Sequence, residues 1–290
     1  MGTVLRKTTR WHVRWMMLNW IEHLLAILFL LGTACVMYGY FLEPHLIEVT
    51  HHKVGHASIK SGAIRIVQLT DIHLGDFMSL KRFDHIIDHV NALEADIVLL
   101  TGDLLDNAKT NQKMDKVPES LLRLSEGALK FAVFGNHEYE FGGESNYRKI
   151  LEESGFRLLV NETTTVVLNS QTLQISGADC AIFGERDYTF MDGIDPALFH
   201  VFMLHQPDPI DHYLLVPIDL TLSGHTHSGQ IRLPILGTPI LPELGKKYID
   251  GWYRHTERMS QYVSRGIGMT MLPFRFQSRP EIAVFDIGVE

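Results

Sequence analysis

The sequence predicts a layered α/β domain with mixed sheets, two of them packed face to face, behind one N-terminal membrane-crossing helix. Three observations predict it. From residue 64 onward, apolar β-rich runs alternate with helical patterns, as they do when strands and covering helices form layers. The later runs at 162–168 and 171–176 follow each other as a hairpin would, so the sheets are not purely parallel. Leu24–Leu42 carries no charge over 19 residues, about the length that crosses a ~30 Å hydrocarbon core.

The elements follow in order. Residues 1–23 form a cytoplasmic or interfacial N-terminus, and 24–42 the transmembrane helix. A buried core helix would give the same apolar run. Trp11, Trp15 and Trp20 before it, and Tyr38, Tyr40 and Phe41 after it, form the aromatic flanks of a membrane span. No small-residue cleavage site follows Leu42, so the helix reads as an uncleaved anchor. Arg6, Lys7, Arg10 and Arg14 precede the span and Glu43 and Glu48 follow it, which by the positive-inside rule puts the large C-terminal part outside. Residues 43–62 read as a His-rich linker, and 63–290 as the globular domain. Within it, IRIVQLT (64–70) is a strand. SLKRFDHIIDHVNAL (79–93) sets Phe83, Ile86, Ile87, Val90 and Leu93 at helical spacing behind an N-cap at Ser79. DIVLLTG (96–102) is a strand, 117–126 a helix, LKFAVFG (129–135) a strand and 145–154 a helix. After the hairpin, strands are expected at 200–205, 218–224, 230–234, 260–266 and 281–287.

Composition excludes some classes. Four of the 26 basic residues and one of the 34 acidic ones precede Leu24, leaving the remainder near −11, the wrong balance for a nucleic-acid binder. The two cysteines, Cys35 in the span and Cys180 far from it, build neither a disulfide framework nor a thiolate metal site.

The chemistry lies where the strands end. The first ends in Asp71-Ile72-His73, the second in Gly102-Asp103 with Asp106 beyond, the third in Gly135-Asn136-His137-Glu138. Two later ones end at His205 and at Gly224-His225-Thr226-His227. Each alone has an ordinary reading as a cap, a turn or a surface histidine. Five strand ends delivering Asp, Asn or His to the edge where open α/β sheets bind ligands do not. Asp71, His73, Asp103, Asn136, His205, His225 and His227 are seven side chains, more than one ion open to substrate would use. They suit two divalent ions sharing a bridging carboxylate, the arrangement that clamps both oxygens of a phosphoryl displacement.

The ordered set D-x-H, G-D-x-x-D, G-N-H-E, lone His and G-H-x-H resembles the calcineurin-like metallophosphoesterases over residues 64–227. The SGHTHSGQIRLP stretch and the tail SRGIGMTMLPFRFQSRPEIAVF (264–285) resemble its bacterial branch with an N-terminal transmembrane segment. The resemblance implies a two-sheet β-sandwich flanked by helices and a metal-dependent phosphoric ester hydrolase acting on a phosphodiester or pyrophosphate. By it, Asp71, His73, Asp103 and His227 would hold the first ion, and Asp103 would bridge to the second, completed by Asn136, His205 and His225. Mn²⁺ is the expected ion, with Fe or Zn as alternatives. Asp106 would orient a ligating histidine. His137 would face the phosphate, stabilising its charge or protonating the leaving oxygen.

The sequence is thinner on substrate. RLPILGTPILPELGKKYIDGWY (232–253) is either an ordinary loop-rich edge or a lip beside the metals, with Arg232, Lys246 and Lys247 as substrate contacts. An anchor confines the site to a bilayer, the bacterial inner membrane by the resemblance. That suits a lipid-linked substrate such as UDP-2,3-diacylglucosamine, which members of the wider superfamily hydrolyse in lipid A synthesis. A tethered phosphodiesterase for soluble substrates and a non-catalytic scaffold are the alternatives, and no protein partner is inferred. Lipid A precursors are cleaved on the cytoplasmic side, whereas the charge rule places the domain outside.

Overall fold

The parallel strands are buried on both faces, and this sets the architecture. In the computed structural model, which describes residues 2–56, 58–59, 64–107 and 114–288, twelve strands form two six-stranded sheets among the described residues. One sheet has the order β1 (Glu48–Val54), β12 (Glu281–Ile287), β2 (Ile64–Leu69), β3 (Ile97–Leu100), β4 (Leu129–Ala132), β5 (Arg157–Leu158). The other runs β10 (Gly251–Arg254), β11 (Ser260–Val263), β9 (Leu220–Ser223), β8 (Phe199–Met203), β7 (Gln171–Gly177), β6 (Glu162–Leu168).

Alternate residues of each strand feed different cores. Ile64, Ile66, Ile97 and Leu99 pack between the sheets against Ile175, Val201, Met203 and Leu222. Val67, Leu69, Val98 and Leu100 face the helices α2 (Leu80–Asn91), α3 (Val117–Leu122) and α5 (Glu144–Glu153). These strands therefore read as near-continuous apolar runs, broken in β2 only by Arg65, paired with Asp286, and Gln68. Phe202, Leu204, Ile210 and Tyr213 build a third cluster outside the second sheet. The helix α2 starts where Ser79 accepts a bond from the Arg82 amide at 3.3 Å.

Several elements differ from the sequence reading. The stretch read as a linker carries β1, which pairs in parallel with β12 from Glu48 opposite Glu281 to Val54 opposite Ile287. As an edge strand with alternately exposed His51 and Lys53, it lacks the apolar run that marks a central strand. The two-residue β5 and the four-residue β10 were likewise not expected. No strand forms at 230–234: Ile231 makes one bridge to Phe276, and Leu233 and Gly237 close a tight turn around Pro234. At the N-terminus a single helix, α1, runs over Gly2–Phe41 without a break at Leu24. Its stretch within Asn19–His45 has mean hydropathy 2.1, is long and apolar enough to cross a membrane and is almost wholly unburied.

On β8, the imidazole of His200 is fully buried. Burial, with Arg258 adding to it, pushes its pKa down to about 3, while Nε2 lies 2.6 Å from the Ser176 hydroxyl. The unfolded chain takes up a proton near pH 6.5 and the folded one does not. Stability is therefore complete above pH ~6.5 and is lost toward pH ~3, at about 1.4 kcal/mol per pH unit. In His200→Gln the fall of Tm between pH 6.5 and 4.5 is expected to flatten, as followed by scanning calorimetry. An unchanged pH dependence would remove His200 as the source.

Candidate metal centre

The strands of both sheets end at one edge, and the loops leaving them interlock. Gln68 Nε2 ties the sheets by donating to the Thr101 hydroxyl at 2.9 Å and the Ser223 carbonyl at 3.0 Å. The amides of Asp71, His73 and Leu74 donate to the carbonyls of Gly102, Asp103 and Leu104, pairing the loop after β2 with the loop after β3. The His225 amide donates to both oxygens of Asp71 at 2.9 Å. The backbone turns sharply to allow this. Asp71, His73, Asp103, His225 and His227 all have φ between 49° and 70°, in the left-handed region that non-glycine residues avoid.

Two buried clusters result, with a third, partly exposed grouping of His73, Asp106 and His137 beside the first. Asp71, His73 and His227 place one ligand atom each within 4.8 Å of the others, and so do Asp103, His205 and His225. In the first, His73 Nε2 lies 3.0 Å from His227 Nε2, which is 3.5 Å from Asp71 Oδ1. In the second, His205 Nε2 lies 3.3 Å from Asp103 Oδ2. That same Asp103 oxygen is 3.6 Å from His73 Nε2, so one carboxylate faces both clusters.

Hydrogen bonds fix which nitrogen each ring presents. A carbonyl only accepts, so His205 Nδ1 donates to Thr101 at 2.7 Å and Nε2 is the nitrogen turned to the cluster. Burial lowers the pKa of that ring, but Asp103 outweighs burial and raises it to about 10, so an ion would have to displace the Nε2 proton. His225 donates through Nε2 to the Glu243 carbonyl at 2.7 Å, leaving Nδ1 for the cluster. Burial and the neighbouring His205 push the His225 pKa down to about 3, keeping that ring neutral. Burial pushes the Asp71 carboxyl up. Burial acts the same way on Asp103, but His205 and His137 outweigh it and hold that carboxyl well below the usual range.

Residues 64–229 match the family model for calcineurin-like phosphoesterase. The chain belongs to that family. It is 36% identical to the uncharacterised metallophosphoesterase YkuE of Bacillus subtilis, covering 86% of this chain and 89% of that one. It is 28% identical to the phosphodiesterase YaeI of Escherichia coli, with 86% and 92% covered. A Bos taurus transmembrane protein with a metallophosphoesterase domain is 28% identical over 83% of this chain and 56% of that protein. The chain is thus a metal-dependent phosphoester hydrolase.

Of the other residues of this phosphoesterase marked in the sequence, Asn136, His137 and Asp106 fall beside the clusters. Asn136 opens the short helix α4 (Asn136–Tyr139), is buried, and has Oδ1 3.5 Å from Gln206 Nε2. The His137 amide next to it donates to Asp103 Oδ1 at 3.0 Å. The half-buried His137 ring stands edge-on to His73 with centroids 4.5 Å apart, and its Nδ1 donates to the Asp106 carbonyl at 2.7 Å. Burial lowers its pKa, but Asp103 and that carbonyl raise it further, for a net upward shift. Asp106 Oδ1 stands 3.5 Å from His73 Nδ1, with no hydrogen bond formed. Arg232 and Lys247 are engaged away from the clusters: Arg232 donates to Asp250 and Lys247 to Asp211, each at 2.6 Å. The Lys246 amide binds Asp208 at 3.0 Å.

Two residues that hold the site had been given no role. Glu138, fully buried, accepts bonds from the amides of Asp103, Leu104, Leu105 and Gly135. It splints the loop after β3 to the loop after β4, and burial next to Asp103 raises its pKa to about 7. Its presence in G-N-H-E was the available signal. Arg275, also fully buried, donates to the carbonyls of Arg265, Gly266, Gly268 and Ser278 and lies 3.3 Å from His227 Nδ1. No local pattern marks it.

Glu138→Gln turns an amide donor toward amide donors. It is expected to cost about 3 kcal/mol or more, to lower Tm by several degrees and to weaken Mn²⁺ binding ~10-fold or more. Thermal unfolding and calorimetric Mn²⁺ titration read both effects. Unaltered values would show that the splint does not shape the site.

Proposed function

We propose that this phosphoesterase is a membrane-anchored, dinuclear hydrolase of phosphodiesters or pyrophosphates whose natural substrate is lipid-linked. One observation carries the dinuclear reading: Asp103 Oδ2 stands within 3.6 Å of a histidine from each cluster. The residues fit divalent ions. His205 Nε2 is buried without a hydrogen-bond partner, Asp71 and Asp103 are buried carboxylates, and the donors are all nitrogen and oxygen. Asp71, His73 and His227 would hold one ion, His205, His225 and Asn136 the other, with Asp103 shared. Mn²⁺ is the ion we assign, and Fe or Zn would suit the same donors. Bound ions would polarise the phosphoryl group and acidify water enough to furnish a nucleophile near neutral pH.

The protein's own groups do the rest. The Asp106 carbonyl holds His137 by Nδ1, which leaves Nε2 to meet the substrate. The upward shift, from Asp103 and that carbonyl acting against burial, favours the protonated imidazole, whose Nε2–H would donate to the departing oxygen. The Asp106 carboxylate lies 3.5 Å from His73 Nδ1 and 3.9 Å from His137 Nδ1, placed so that it would orient His73 when an ion is bound. The apolar part of α1 serves as a single-pass anchor in the bacterial inner membrane. Arg232 and Lys247 would reach substrate only by leaving Asp250 and Asp211, whereas Lys246 is held by its backbone amide.

Chelator treatment is expected to abolish phosphodiester hydrolysis and Mn²⁺ to restore it; turnover by the metal-stripped protein would sink the reading. His137→Ala is expected to retain its metals, measured by plasma emission, while losing ~10²-fold in turnover. Undiminished activity would remove His137 as the proton donor. UDP-2,3-diacylglucosamine is the lipid-linked substrate to test first, beside bis(p-nitrophenyl) phosphate, with preference for the former expected. A C-terminal reporter fusion decides the side: an exported domain, as the charge rule has it, would redirect the search to other lipid phosphodiesters.

A further inference from the structure

The end of α1 reaches the metal centre through Arg275. The Arg275 amide donates to the Gly39 carbonyl at 3.0 Å, and the Arg275 guanidinium lies 3.3 Å from His227. Tyr38 stacks edge-on with Phe276 at 6.4 Å. The chain beside Phe276 is Gln230–Arg232, joined to it by two backbone bonds of 2.8 and 3.0 Å. Gln230 in turn bonds Thr270 and Leu272. Helix end, segment 270–276 and segment 230–240 are thus neighbours in one row.

This row carries an exposed apolar surface. Among the described residues past Leu46, six of the thirteen exposed large apolar side chains are Leu233, Ile235, Leu236, Ile240, Met271 and Leu272. Ile235 is fully exposed at 105%, with Met271 at 80% and Leu236 at 76%. The turn is held, since Leu233 and Gly237 exchange backbone bonds at 2.8 and 2.9 Å. Ile235 adopts φ 70°, costly for a β-branched residue, so the fold spends strain on keeping an isoleucine at the tip. Behind the tip, a mostly apolar cavity of about 160 Å³ runs from Ile240, Pro242, Met271 and Leu272 to His225 and His227.

We propose that this lip is seated in the acyl layer of the bilayer that α1 enters, and that the cavity takes an acyl chain of a membrane-embedded phosphodiester. The inference rests on the anchored phosphoesterase reading and names its substrate class: a diacyl phosphodiester drawn sideways from the leaflet. The lip joins the end of α1 through residues 275 and 276, which contact Gly39 and Tyr38, and Phe41 and Leu42 at that end are exposed as the lip is. Arg82 donates to the Pro44 carbonyl, so a half-buried cation sits beside the chain just past the span.

The test uses the full chain in phosphatidylethanolamine–phosphatidylglycerol vesicles. A spin label on Cys35 reports the span, because Cys180 is buried. In Cys35→Ser protein, labels at Leu236→Cys and Val167→Cys report the lip and the opposite end of the second sheet. The Cys35 and Leu236 labels should be relaxed by oxygen, and the Val167 label by a water-soluble nickel chelate. Ile235→Asp with Leu236→Asp should raise KM for phosphatidyl-p-nitrophenol in vesicles tenfold or more, leaving bis(p-nitrophenyl) phosphate hydrolysis unchanged. Nickel access at Leu236 with Cys35 protected, or equal losses on both substrates, would overturn the proposal. Nickel access at Cys35 would refute the anchor and the lip together. If neither substrate is hydrolysed the phosphoesterase reading fails, while the label depths still decide the lip.

Discussion

One carboxylate organises the metal edge of this protein. Asp103 faces both histidine clusters with a single oxygen, and everything nearby keeps it there. Its other oxygen takes the His137 amide, and its own amide is held by Glu138. Glycines flank it because nothing larger fits. A Cβ on Gly135 would strike the Asp103 carboxylate, and one on Gly102, at φ 94°, would come within 2.5 Å of His205 Nδ1. Left-handed backbone at five ligand candidates costs on the order of 1–3 kcal/mol each, and survives only where the surroundings over-determine it. The interlocked loops and the Glu138 splint are those surroundings.

The parts legible in the sequence are those whose physics is local. Strands buried on both faces, IRIVQL and IVLL, announce themselves as apolar runs, and α2 as a helical stripe behind a serine cap. Edge strand β1 does not, because its half-wet face needs polar residues, and the strand is defined only by β12. QIRLP looked like a strand by composition, yet Gln230 at φ 58° and the Pro234 turn direct it into a lip. At the site, the strand-end residues could be grouped because each follows an apolar run. The roles of Glu138 and Arg275 come from partners distant in sequence, Asp103 and His227 among them, which no local pattern encodes.

The metal edge and the N-terminal helix are mechanically one unit. Buried Glu43, just past α1, accepts the Ser278 amide, and the Ser278 hydroxyl donates to the His227 carbonyl at 2.8 Å. With Arg275, this makes two short relays from the end of α1 to a candidate ligand. Arg275 is buried among carbonyls, where its charge is satisfied by acceptors rather than by a counter-ion. Tilting the helix against the domain would strain the backbone carrying His227.

The pairing of β1 with β12 sets the order in which the chain can assemble. Glu48 leaves the ribosome early, directly behind the helix, yet its parallel partner is Glu281. Until that late segment arrives, the edge strand has nothing to pair with. The first sheet is also interrupted, because β12 separates β1 from β2. Closing so long a loop is a slow, high-contact-order event. Since Arg275 and Ser278 lie just before β12, the same closure brings His227 its support. A nascent or truncated chain therefore has an unfinished domain, and His227 gains its support only with the last strand.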